Sequence, residues 1–332
     1  MLACASVTSA QTAPVPVAID DDGTTILVPG VPFRIWQLRS RNAGQQIMSY
    51  VIQTGRAGRL IVIDGGMHYR EENGTVFPGD APELKSFIAS HGNHVQMWIV
   101  SHQHSDHAGA LKTILESTDR PQIDAIYGSF LTDAEIAADT SEPPEFRAFA
   151  QEVTAAYQNA AVPYVPFSLG WITYLDGVKL EVLGVKDPGR HPNVMNNSSV
   201  VLRVSDGKRS MLFTGDLEDV GGSDLLLTPY KNRLPSDYVQ LAHHGSWGVE
   251  AVTDGEGSNF YALVGPRNCL WPTTFDIYDY EPGDTPAKTY RAWLTRDVVE
   301  SPALCGQANS GRHFVPFDSG GVPSEPVYQE IP

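Results

Sequence analysis

Three histidines and one carboxylate fall within six residues of this 332-residue chain, in Ser101-His102-Gln103-His104-Ser105-Asp106-His107-Ala108-Gly109. Imidazole nitrogens and carboxylate oxygens are ligands of divalent metal ions, and ions so held activate water for hydrolysis. His102 and His104 stand two residues apart, so in extended backbone both side chains point to one side and can share an ion. Asp106 and His107 follow where the chain turns and can face a second ion close by. A polar surface loop would account for one or two such side chains, but not for four at this spacing.

The flanking residues show what positions them. Val95-Gln96-Met97-Trp98-Ile99-Val100 ahead of the motif is β-branched and apolar and reads as a buried strand. Behind it, Leu111, Ile114 and Leu115 take the i, i+3, i+4 spacing of a helix face. The motif thus occupies a strand-to-helix turn. Two later stretches also end a strand in potential ligands: Ser210-Met211-Leu212-Phe213 runs into Thr214-Gly215-Asp216, and Asp237 to Ala242 runs into His243-His244-Gly245-Ser246. Five of the ten histidines therefore lie in two strand-end clusters, which random scatter would rarely produce. Arg59 to Asp64 is a further buried strand, ending in Asp64-Gly65-Gly66; His68 beyond it reads as a solvated loop residue.

The remaining pattern alternates strands and helices. Strands are expected within 26–38 and 46–54, at 124–127, and on both sides of the Asp176-Gly177 turn. A second hairpin is expected from Asn196 to Asp216, and further strands over Phe260 to Trp271 and His313 to Phe317. Helices are expected over Pro82 to His91, over Asp133 to Ala160 with a break at Pro143-Pro144, and over Pro286 to Thr295. Periodicity by itself indicates only α/β.

Charged residues at 19% and apolar ones at 42% exclude wholesale disorder. The net charge of −16, from 39 acidic against 23 basic residues, repels nucleic acid and anionic membranes at long range. No Lys/Arg cluster offsets it, which favours a small-molecule substrate over long nucleic acid. No apolar run approaches the roughly 18 residues of a membrane span. Without repeats or long linkers the chain reads as a leader or disordered N-terminus over 1–20 and a single domain over 21–332. Residues 1–13 look like the small-residue end of an export signal lacking its basic start and apolar core, so a secreted or periplasmic protein is expected. In that setting Cys269 and Cys305 can pair, which would stabilise the fold by about 4 kcal/mol in the chain-entropy picture, with Cys4 left over.

Taken in order, SHQHSDHAGAL, NNSSVVLRV, LFTGDLE and LAHHGSWG resemble the metallo-β-lactamase superfamily. They are most similar to the soluble hydrolase domain of ComEC-type DNA-uptake proteins and their free-standing relatives, over about residues 30 to 320. The membrane channel of the uptake proteins is outside the resemblance. It implies an α/β fold of the four-layer αββα sandwich type and a binuclear metallohydrolase with two divalent ions, zinc first and Mn or Fe as alternatives. It assigns His102 and His104 to one ion, Asp106, His107 and His243 to the other, and Asp216 as a bridge. His243 is preferred to His244 because it comes first after the strand. Asp64 would orient a metal-bound histidine from behind.

Asn197 stands where most members have a ligand histidine, and an amide oxygen is a weaker donor, so the first site is expected to be loose or to prefer manganese. Asp216, where some β-lactamases carry cysteine, gives an oxygen-rich second site and counts against those classes. The implied chemistry is attack by a metal-bound hydroxide on a phosphodiester, with a lactone or carboxylic ester as the alternative. Asp106 could hold the nucleophile's proton, and His244 or Ser246 could donate to the leaving group. No G-x-S-x-G motif competes with this reading. A metal-binding pseudoenzyme is the non-catalytic alternative.

Overall fold

Strands that bury every residue must be covered on both faces. Leu60–Asp64 and Val178–Gly184 are of this kind, and each lies near the middle of a layered core. The computed structural model describes residues 18–19, 26–27, 34–38, 48–54, 59–70, 76–77, 79–207 and 209–245. It also describes shorter stretches between 248 and 274 and strands at 314–317 and 329–330.

The first sheet contains β1 (Arg34–Gln37), β2 (Ser49–Gln53), β3 (Leu60–Asp64), β4 (His94–Val100), β5 (Ile126–Gly128) and β6 (Tyr164–Pro166). They lie side by side as β6-β5-β4-β3-β2-β1, with Gln329–Glu330 outside β1 and Gln122–Ile123 beside β4. β1, β2 and β3 pair antiparallel, whereas β3, β4, β5 and β6 run parallel. The second sheet places its strands in chain order: β7 (Ile172–Leu175), β8 (Val178–Gly184), β9 (Val201–Ser205), β10 (Ser210–Phe213), β11 (Tyr238–Gln240), β12 (Asn268–Thr274) and β13 (Phe314–Phe317). It is antiparallel up to β10 and parallel beyond it.

Alternation along each strand separates the layers. On β3, Ile61 and Ile63 face the second sheet and meet Leu180, Val182, Leu202 and Phe213 in one core. Leu60 and Val62 point the other way, onto α1 (Ala81–Ser90), α2 (Ser105–Leu115) and α4 (Pro144–Asn159). On the far side, Leu212 and Val239 pack under α6 (Asp219–Leu227) and α7 (Phe260–Val264). These three cores make the four-layer αββα sandwich. Each fully buried aliphatic side chain adds roughly 1.5–3 kcal/mol, so all three cores contribute to the rigidity behind the strand ends.

Local signals act where expected. Asp176 and Gly177 both have positive φ, 49° and 89°, as a tight hairpin between β7 and β8 requires. The Asp133 to Ala160 region breaks into α3 (Asp133–Ala138) and α4, with Pro144 at the start of α4, where it lacks no needed N–H. Thr132 and Glu135 form a reciprocal cap on α3.

Two expectations are corrected. Asn196 and Asn197 do not begin a strand; they end a short helix, α5 (Val194–Asn197), and β9 starts only at Val201. The apolar stretch from Phe260 is also not all strand. It forms α7, burying Phe260, Tyr261 and Val264, before β12 begins. Short apolar runs carry no period that separates helix from strand. The leader, Cys4, Cys305, the 286–295 helix and Ser246 fall outside the described residues, and with Cys305 the expected disulfide. Among the described residues no helix is long and apolar enough to cross a membrane.

Candidate metal centre

β4 ends at Val100 and delivers the motif to the edge of the inter-sheet core. His104 is the residue before α2, with extended backbone, and its carbonyl accepts from the backbone N–H groups of His107 and Ala108 at 3.2 and 2.9 Å. Asp106 and His107 therefore lie in the first helical turn, where the chain curls back toward His102. The close packing behind this turn needs glycine: a Cβ on Gly109 would come within 1.9 Å of the His68 backbone nitrogen.

Asp64 ends β3 in a left-handed conformation, φ 56°, fully buried. Its carboxylate accepts from Ser101 N–H at 2.7 Å and from Ser101 Oγ at 2.9 Å. It also lies 2.9 Å from His107 Nδ1. The side chain thus ties the motif to its neighbouring strand and turns His107 Nε2 toward the cleft. On the other sheet, Gln240 Oε1 accepts from Thr214 and Gly215 N–H at 2.8 and 2.9 Å. Asp216 N–H donates to Ser199 Oγ at 3.0 Å. The turn after β10 is thereby held, with Asp216 only 2% exposed.

Beyond β11 the chain bends through consecutive left-handed residues, His243 (φ 48°, ψ 48°) and His244 (φ 54°, ψ 21°), then Gly245 (φ 73°). Such backbone costs roughly 1–2 kcal/mol per non-glycine residue. It also lets two adjacent side chains, which an extended strand would send to opposite faces, approach the same carboxylate. His244 Nε2 lies 3.4 Å and His243 Nε2 lies 3.9 Å from Asp216 Oδ2.

Asp106, His107, Asp216 and His244 present ligand atoms that all lie within 4.8 Å of one another. His107 Nε2 is 3.1 Å from Asp216 Oδ1 and 3.3 Å from His244 Nε2, while His244 Nε2 is 3.1 Å from Asp106 Oδ2. Of the two candidate histidines, the structure brings His244 and not the preferred His243 into this group. Position in the chain misleads here because the left-handed turn, not the strand direction, aims the rings. His102 and His104 form a second pair, with Nε2 and Nδ1 3.0 Å apart, and His102 Nε2 lies 3.9 Å from Asp216 Oδ2. Asp216 is thus the carboxylate between the two groups.

The sequence of Metallo-beta-lactamase superfamily proteins matches residues 43–252. The chain belongs to the metallo-β-lactamase superfamily. It is 25% identical to Recombination protein 2 of Haemophilus influenzae over 214 residues, covering 64% of this chain and 21% of that one. It is 24% identical to ComE operon protein 3 of Bacillus subtilis over 233 residues, covering 68% of this chain and 27% of that one. The chain thus spans about a quarter of the length of these curated relatives. Among solved structures, the metallo-β-lactamase fold protein YhfI from Bacillus subtilis aligns over 80% of this chain and 93% of its own, with 13% identity and a TM-score of 0.40.

The superfamily's divalent ions fit the donors present. Pro272 O lies 3.0 Å from His244 Nδ1, and Asp64 takes His107 Nδ1, so both outer nitrogens carry protons. Both Nε2 lone pairs then face each other across the cleft, a repulsive arrangement unless a cation or a proton lies between them. Asp216 Oδ1 is buried and makes no well-aligned hydrogen bond. Burial disfavours a charged imidazole at His107 and His244. At His107 the carboxylates Asp216, Asp106 and Asp64 overcome that and raise the pKa well above its ordinary value. At His244, Asp216 and Asp106 push it up to about 10. Burial likewise works against ionised Asp106 and Asp216, but the neighbouring histidines win and hold both below the carboxylate range. His102 goes the other way: burial, then His107 and His104, keep it neutral.

The other expected residues sort as follows. Asn197 does not present its oxygen to the cleft: Oδ1 accepts from Gly221 N–H at 2.8 Å, and Nδ2 donates to Pro192 O at 2.9 Å. His68 is buried rather than solvated, with its ring 5.5 Å from that of Phe149 and Nδ1 3.3 Å from Thr113 Oγ1. Sequence reasoning missed Glu142, whose Oε1 is 3.4 Å from His104 Nε2, and Glu218, whose Oε1 is 3.2 Å from His243 Nδ1. It also missed Ser199, whose Oγ lies 3.3 Å from His102 Nδ1. Glu218 was findable, two residues past Asp216. Glu142 sits in a loop with no motif to mark it.

Proposed function

We propose that this chain is a metal-dependent hydrolase acting on small phosphodiesters. The observation that carries the reading is the compact group of Asp106, His107, Asp216 and His244, closely approached by the His102–His104 pair. Divalent ions bound there supply Lewis acidity and lower the pKa of water, and a pair of them suits in-line displacement at phosphorus.

The protein's own groups then have separable tasks. His107, fixed from behind by Asp64, and Asp216, fixed through Ser199 and the Gln240-braced turn, give the rigid part of the donor set. Asp106 is the group at the cleft mouth, with its side chain 23% exposed against 0–2% for His107, Asp216 and His244. It can therefore bind and also hold a proton from attacking water at Oδ2. His244, 2% exposed and tied to Pro272 O, acts as a donor to the ion in this arrangement, which leaves little room for the separate acid role expected from sequence. Two features support a small phosphodiester: similarity to a protein named for recombination, and a net charge of −16 that opposes long polyanions.

A single panel tests this. Metal-loaded protein is given a small activated phosphodiester, a carboxylic ester, a lactone and a β-lactam at equal concentration, with Asp106→Ala as control. Fastest turnover of the diester, lost in the control, is expected. Ester or lactone turnover well above the diester, lost in the same control, would overturn the substrate class while keeping the metallohydrolase.

A further inference from the structure

The resemblance leaves the first ion one histidine short, because Asn197 directs its oxygen to Gly221. We infer that His243, oriented by a Glu218 carboxylate clamp, supplies the missing nitrogen, so that the two adjacent histidines of the His243-His244 turn serve different ions. This rests on the metallohydrolase reading above and adds to it a ligand and a positioning residue.

The first argument is location around Asp216. His244 Nε2 contacts both Asp216 and Asp106, and the compact group closes without His243. His243 Nε2 and His102 Nε2 each stand 3.9 Å from the same oxygen, Asp216 Oδ2. That separation is too long for a hydrogen bond. It suits two ligands of one ion, each about 2.0–2.2 Å from it and roughly 3–4 Å from each other. Asp106 meets His244 Nε2 at 3.1 Å, whereas the carboxylates close to His243 are Asp216, at 3.9 Å from Nε2, and Glu218, at 3.2 Å from Nδ1.

The second argument is a shared construction. A ligand histidine needs its other nitrogen engaged, which fixes both tautomer and ring orientation. Ser101 and Ser199 engage the outer nitrogen of His102, Asp64 that of His107 and Pro272 O that of His244, and a carboxylate of Glu142 faces that of His104 at 3.4 Å. His243 is placed likewise: its buried Nδ1 stands 3.2 Å from Glu218 Oε1, a close ionic approach without an aligned hydrogen bond. A surface histidine with no task would not need it.

The third argument is the effort made to hold Glu218. Its carboxylate accepts from three amides: Asn193 Nδ2 at 3.2 and 3.0 Å, Asn196 Nδ2 at 2.9 Å and Asn197 Nδ2 at 3.3 Å. Asn193 itself adopts a left-handed backbone, φ 55°. The asparagines around the missing ligand position thus act at one remove, holding the carboxylate that holds the replacement.

The test is metal content and metal spectroscopy, independent of any substrate. Parent, His243→Ala, Glu218→Gln and Glu218→Asp proteins are stripped, loaded with Zn(II) or Co(II), and dialysed. Elemental analysis counts the ions, chelator competition ranks them, and visible absorption reports the cobalt environments. The parent should hold two ions, and His243→Ala should keep one. Glu218→Gln should weaken the more loosely held ion by about 10–100-fold and change only its part of the cobalt spectrum, with partial recovery in Glu218→Asp. Circular dichroism identifies a variant that fails to fold, and the remaining variants then decide. Two ions of unchanged affinity in folded His243→Ala and Glu218→Gln proteins, or a parent that holds a single ion, would overturn the inference alone. A parent that binds no metal would overturn the metallohydrolase reading itself.

Discussion

The two sides of Asp216 use the same residue types but are closed to different degrees. On one side, Asp106, His107 and His244 draw together with Asp216 until all four ligand atoms lie within 4.8 Å. On the other, His102 and His243 stand 3.9 Å from the shared carboxylate, and His104 reaches the group through His102. The compact side is built on elements locked by buried backbone bonds to Asp64 and Gln240. The open side relies on acidic side chains from loops, Glu142 and Glu218. A donor set closed by sheet edges is preorganised, whereas one closed by loop carboxylates keeps more conformational freedom to lose on binding. The expected consequence is one tightly held ion and one that exchanges.

The largest effect is expected where the two sides meet. Asp216→Ala should remove both ions, seen as loss of metal in elemental analysis, with activity falling by more than the roughly 10–100-fold that an outer partner contributes. Retention of either ion would show that the sides are independent. Next comes His244→Ala, which should empty the compact side and leave the weaker ion. Loss of the weaker ion alone would invert the comparison.

Asp64→Asn should weaken the compact ion by about 10–100-fold, because His107 loses its anionic support. It should also lower the melting temperature, since Ser101 loses part of its buried partner at a cost of about 1–3 kcal/mol. Calorimetric metal titration and thermal unfolding read the two effects separately.

A pH series tests the same side. Because Asp216 and Asp106 outweigh burial and raise His244 to about 10 against an ordinary 6.5, metal uptake at pH 7 must displace a proton there. Affinity should rise with pH, and titrations in buffers of different ionisation enthalpy should show proton release. In chelator-treated protein the raised pKa contributes stability that is complete below about 6.5 and lost as pH approaches 10, so its melting temperature should fall over that window. Metal-loaded protein should not share the fall.

The smallest effect belongs to Asn197→His. Were Asn197 a ligand, histidine there would tighten the weaker ion. With its oxygen on Gly221 and its amide on Pro192 and Glu218, the substitution should leave that ion unchanged or slightly weaker. Chelator competition distinguishes the outcomes.

Residues close in sequence could be placed from sequence. The strand before His102, the helix after it and the shared side of His102 and His104 follow from periods of 2 and 3.6 that operate within a dozen residues. Asp216 and the double histidine were also legible as strand ends carrying polar side chains, and the order of motifs implied the αββα layers. Tertiary structure decided the rest. Whether His243 or His244 faces Asp106 depends on two consecutive left-handed residues; histidine visits that region more than most residues, but no local preference fixes two in a row. Asn197 reads as a ligand by position, yet helix α5 directs its amide to Gly221 and Glu218. Glu142 reaches His104 from 38 residues further along the chain only because α3, α4 and their connecting loop fold back over the β4 end. Sequence supplies donors where local geometry is periodic. Which atom each donor faces is set by long-range packing, because ring direction depends on every backbone turn between the elements.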